Sequence, residues 1–192
     1  MLPVYPLLPL PAFQLDCSPS KLSASNMFKY VCLSLSLFLA LNGNLVQGTP
    51  TGAPLIACAD MTPQHGVGPQ NTTSPFGTTP SSTSIAQGST ITLTLTGSGP
   101  FKGFLVIAFD NDNQVAPIGA FSAISSGQTL DCRTGPTPMN AATHIDNLDK
   151  TTVTMDWTAP AGFVGTVLIK TSFVQDVATF WVATESALIT VA

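Results

Sequence analysis

The chain has 192 residues, of which 44% are hydrophobic and only 8% charged, and its formal net charge is −4. An average globular domain is roughly 25% charged, so the Glu, Lys and Arg that normally cover solvent-facing helices are scarce, which argues against a helical architecture. Six basic residues against ten acids leave no basic face for phosphates and argue against nucleic acid as a partner.

The first 26 residues, MLPVYPLLPLPAFQLDCSPSKLSASN, are too rich in proline for a helical apolar segment. They are read as an upstream extension (1–26) to a translation start at Met27. From Met27 the chain runs MFKYVCLSLSLFLALNGNLVQG, with Lys29 as a positive residue, an apolar run from Val31 to Ala40, and small residues up to Gly48. This is the pattern of a secretory signal peptide (27–48), since a membrane-spanning helix takes about 20 apolar residues. Cleavage after Gly48 leaves a domain at 49–192 with no integral membrane segment. That domain has four basic residues and nine acids, a balance of −5.

Cys17 and Cys32 are lost with the leader, and Cys58 and Cys132 survive. Two cysteines in an oxidising compartment most simply form one disulfide. It closes a loop of about 75 residues and stabilises by about 4 kcal/mol in the chain-entropy model. No cysteine or histidine lies at metal-ligand spacing, and no cofactor is expected. The stretch TGAPLIACADMTPQHGVGPQ, residues 51–70, is made of small and turn-forming residues. It reads as an arm lying over the domain surface, held by the covalent bond in place of core contacts.

Residues 69–88, PQNTTSPFGTTPSSTSIAQG, read as a loop with one edge strand at most. They carry the sequon Asn71-Thr72-Thr73, a candidate for glycosylation at Asn71. A two-residue period then begins. In STITLTLTG, Ile91, Leu93 and Leu95 share one face and Thr90, Thr92, Thr94 and Thr96 the other. GFLVIAF (103–109) is apolar throughout and reads as a central strand, broken by DNDNQ. A short strand is expected within 118–124, and Leu130 leads Cys132 to the sheet. Polar sequence is then expected to run as loop to Asn147. TTVTMDW turns Val153, Met155 and Trp157 inward, and APAGFVG is a turn. TVLIKTSFV and ATFWVATESALITV supply two or three more strands. About seven strands at this spacing predict an antiparallel β-sandwich.

Asp110, Asp112 and Asn113 form an oxygen-rich group that invites Ca²⁺, but Ca²⁺ takes six to eight ligands, and Asp and Asn favour turns. A polar turn is expected. His65 and His144, with Asp146, are the material for a catalytic or metal pair; local hydrogen bonds of His144 and Asp146 in a loop are the preferred reading. No serine sits in a G-x-S-x-G context, and no enzyme constellation is found. Trp157 and Trp181 are assigned to the core. The functional alternative is a surface aromatic platform at Phe180 or Trp181.

PTGAPLIACADMTPQHG (50–66), FKGFLVIAF (101–109), Cys132, THIDNLDK (143–150) and MDWTAP (155–160) follow one another in an order and spacing that resemble the reeler domain. A single secreted reeler domain of this size is similar to the insect defence proteins. The resemblance implies an immunoglobulin-like antiparallel β-sandwich, a Cys58–Cys132 disulfide, secretion into haemolymph, and an immune or antimicrobial role through microbial surface components or extracellular proteins. The alternative is an extracellular interaction module with no defence role. The family has an apolar-alternating strand where this chain reads SPFGTTPSSTSI. An anionic sheet protein lacks the cationic amphipathic helix of membrane-lytic peptides, so recognition is expected in place of lysis.

Overall fold

The computed structural model describes residues 49–192; the extension 1–26, the signal peptide 27–48, Cys17 and Cys32 lie outside them. In chain order the strands are β1 (Phe76–Pro80), β2 (Ser84–Ile85), β3 (Thr90–Phe101), β4 (Gly103–Asp110), β5 (Ala120–Ser122), β6 (Gly127–Leu130), β7 (Ala141–His144), β8 (Lys150–Thr158), β9 (Gly165–Asp176), β10 (Thr179–Glu185) and β11 (Ile189–Val191). A 3-10 turn, Leu55–Cys58, is the one helical element among the described residues. The architecture is all-β: two facing sheets form a sandwich.

One sheet has the order β1-β3-β8-β5; the other has seven strands, β2-β11-β9-β4-β7-β6, with β10 also paired to β9. All pairings are antiparallel except β2 with β11. The alternation in β3 and β8 works as expected. Ile91, Leu93 and Leu95 lie opposite Trp157, Met155 and Val153 in register, and all six are buried. Their threonine neighbours form the outer face of that sheet.

Three expectations change. About seven strands become eleven, as short strands of two to four residues beyond those expected, among them β2, β6 and β7, join the sheets. The stretch 69–88 holds two strands: β1 pairs with β3, and β2 joins β11. Phe76 in β1 is buried and meets Phe101, Phe173 and Trp181 at centroid distances of 5.4–5.5 Å. One large side chain thus anchors a polar strand to the core. The polar run before Asn147 contains β7, whose four residues are all buried between β4 and β6.

The all-apolar strand β4 is central, between β7 and β9, and is buried on both sides. Phe104, Val106 and Ala108 enter the core between the sheets. Leu105, Ile107 and Phe109 point the other way, into a second cluster with Ala57, Met61, Cys132 and Ala141. A strand covered on both faces loses its alternation, which is why this one reads as a continuous apolar run.

Candidate functional site

The second cluster is roofed by the N-terminal arm. Cys58 and Cys132 are bonded, with Cα atoms 5.7 Å apart. The arm is also a packed element, contrary to the expectation of a surface strap without core contacts. Ala57 and Met61 are 2% and 4% exposed, so their burial adds to the bond.

Side chains of the sheet hold the arm by its backbone. Ala53 N–H donates to Thr143 Oγ1 (2.8 Å), and Gln128 Nε2 donates to Thr51 O (2.7 Å). Ser172 Oγ donates to Met61 O (2.6 Å) and accepts from Ala183 N–H (3.2 Å). Ala183 is free to do this because β10 shifts register between Trp181 and Thr184, and Ala183 adopts φ 53° there. The bulge turns a ladder N–H out of the sheet and toward the serine beneath the arm. Gly52 allows the close approach: its φ is +130°, and a Cβ there would lie 2.7 Å from Gln128 Nε2.

His144 ends β7 beneath the start of the arm and is buried, so it is not a loop residue as its sequence context suggested. Its Nδ1 lies 3.2 Å from Phe104 N, and its Nε2 lies 3.3 Å from Thr49 O. The tautomer with hydrogen on Nε2 serves both: Nε2–H donates to Thr49 O, and Nδ1 accepts from Phe104 N–H. The Thr143 hydroxyl donates to Phe104 O (2.9 Å). Desolvation by burial is the main cause that holds this imidazole below the ordinary histidine pKa. The carbonyls of Phe104, 3.2 Å from Nδ1, and of Thr49 favour the protonated ring and oppose that shift, as does the charge of Asp146, while the charge of Lys150 adds to it.

Lys150 was not singled out by its sequence context, yet it is only 6% exposed. Its Nζ donates to Lys102 O, Asp146 O, Leu148 O and Asp146 Oδ1 at 2.7–3.0 Å. It is the interior post of the 146–150 loop. The Asp146 carboxylate also accepts Leu148 N–H (3.0 Å), and its pKa is lowered chiefly by the Lys150 hydrogen bond.

Between arm and sheet lies a cavity of about 250 Å³ whose walls include Pro50, Pro54, Pro63, Leu105 and Val174. His65 and His144 both border it, so the structure brings together two histidines far apart in sequence. Among the described residues no three His, Cys, Asp or Glu side chains are grouped to hold a metal ion. A second hollow flanks the disulfide and includes Leu55, Ile56 and Val115.

The other candidates fall elsewhere. Phe180 is fully buried and Trp181 is 9% exposed, so neither offers a surface platform. They sit near the start of β10 under the start of the sequon region, where Trp181 Nε1 donates to Thr72 Oγ1 (3.3 Å) and Gln70 N–H to Phe180 O (2.8 Å). Asp110 Oδ1 accepts Asp112 N–H (3.0 Å), and Asp110 O accepts Asn113 N–H (3.2 Å), which makes the trio a turn closing on its own backbone. Asn71 is exposed in irregular structure.

Two sheets packed face to face, with an arm tied by a disulfide across one outer face, define an all-β sandwich architecture. Its solved counterpart is the human F-spondin reeler domain, with a TM-score of 0.54 at 19% identity, covering 65% of this chain and 94% of that one. The chain belongs to the reeler domain family, whose model matches residues 56–192. It is 36% identical over 168 residues to "Putative defense protein 3" of Antheraea mylitta, covering 86% of this chain and 97% of that protein. It is 34% identical over 158 residues to "Defense protein l(2)34Fc" of Drosophila melanogaster, covering 81% and 94% respectively.

Proposed function

We propose that this chain is an exported defence protein that acts by recognising microbial surfaces or extracellular partners, without catalysis and without membrane lysis. The observation that carries the reading is its likeness, over nearly their whole lengths, to insect proteins named for defence. Export is supported by the 27–48 leader pattern and by a disulfide that suits an oxidising compartment. Recognition in place of lysis is supported by charge. Residues 49–192 carry four cations against nine acids, and the described residues contain no helix able to form a cationic amphipathic face.

The test incubates the secreted protein with whole bacteria and, separately, with dye-loaded anionic vesicles. Sedimentation with cells and no dye release is the expected pair of results. Dye release at micromolar protein would reverse the mechanism, and absence from both cell pellets and haemolymph-protein complexes would favour an interaction module with no defence role.

A further inference from the structure

We propose that the cavity beneath the arm binds a small, uncharged, mostly apolar molecule carrying one hydroxyl group. The inference goes beyond the defence reading and stands without it. The site is preformed. Its roof is bonded to the sheet through Cys58–Cys132, and Pro50, Pro54 and Pro63 stiffen the roof's backbone. Leu105 and Val174 make the floor apolar, as in a typical small-molecule pocket.

Charge selects against anions. Lys102 at the rim is already paired with Asp149 at 2.8 Å, and Asp176 borders the same opening. An incoming carboxylate meets more negative charge than positive.

Hydrogen bonding selects a single polar group. Both His144 nitrogens are used by the backbone of Phe104 and Thr49. His65 differs. Its Nδ1 is buried with no hydrogen-bond partner among the described residues, and its ring stands edge-on to Phe180 at 5.5 Å. As placed, Nδ1 is covered, so the proposed hydroxyl reaches it after a half-turn about the second side-chain torsion that exchanges Nδ1 with Cδ2. Pairing that nitrogen relieves an unsatisfied polar atom, a stronger selection than forming an ordinary exposed hydrogen bond.

The test uses protein secreted from cells expressing the full chain, with 1-naphthol and naphthalene as probes in equilibrium dialysis. Saturable binding of 1-naphthol, one per chain, is expected. Val174→Trp fills the cavity from a half-buried wall and is expected to abolish binding of both probes. His65→Leu is expected to weaken 1-naphthol roughly tenfold, as for one lost hydrogen bond, and to leave naphthalene unchanged. Circular dichroism and the retained disulfide check that each variant is folded, and the His65→Leu comparison stands by itself if Val174→Trp does not fold. No saturable 1-naphthol binding, undiminished binding in folded Val174→Trp, or an equal loss of both probes in His65→Leu would each overturn the proposal.

Discussion

His144 and Lys150 lie close together in sequence, and each fixes backbone that the sheet ladders do not reach. His144 folds as the neutral imidazole, with a pKa below the ordinary value of about 6.5. Between that value and the lower folded one, the unfolded chain binds more protons than the native state, so stability rises with pH. Stability is therefore expected to fall as pH drops below about 6.5. A second loss follows below about 3.9, as the lowered carboxyl of Asp146 protonates. Urea midpoints at pH 7.5, 5.5 and 3.5 check both steps, and His144→Gln should flatten the first alone. Lys150→Met keeps the apolar stem but strands the carbonyls of Lys102, Asp146 and Leu148. A cost of about 3 kcal/mol is expected in denaturant unfolding. Neither role was legible beforehand: a histidine between threonine and isoleucine, and a lysine after Asp149, look like solvated positions until β4 is laid against β7.

At the scale of elements, the arm explains β4. A strand with one wet face would alternate, and β4 does not because Ala57 and Met61 cover its outer side. The apolar run was visible in sequence, but the identity of its second cover was not. Cys58→Ser with Cys132→Ser is expected to lower stability by about 4 kcal/mol through the freed loop. Met61→Ala is expected to cost about 2–4 kcal/mol through the cavity it leaves. Combining them should give a non-additive total, because all three residues share one cluster. Denaturation of the three variants measures this, and strict additivity would mean that the arm and the disulfide act independently. Strand β7 escaped the sequence reading for a related reason: with alanine, threonine and histidine between two neighbours, it is buried on both faces without a large apolar residue to announce it.

Across the whole molecule, Trp157 and Trp181 belong to a single core cluster between the sheets, drawn from β8 and β10. Tryptophan emission of the native protein is expected to be blue-shifted and to move red in one cooperative step; two separated steps would mean that the sheets unfold independently. An enzymatic removal of N-linked glycan from the secreted protein is expected to reduce its mass at Asn71, which stands exposed beside the partly buried Trp181 contact. The sequence by itself determined the all-β class, the alternating faces of β3 and β8, the pairing of the two cysteines and membership of the reeler family, because periodicity, cysteine count and ordered motifs are local or additive signals. Only the tertiary structure decided that the arm is packed, that Phe180 is interior, that β7 exists, and that two distant histidines border one cavity. Those facts depend on which surface covers which, and burial by a partner distant in sequence leaves no period in the chain to read.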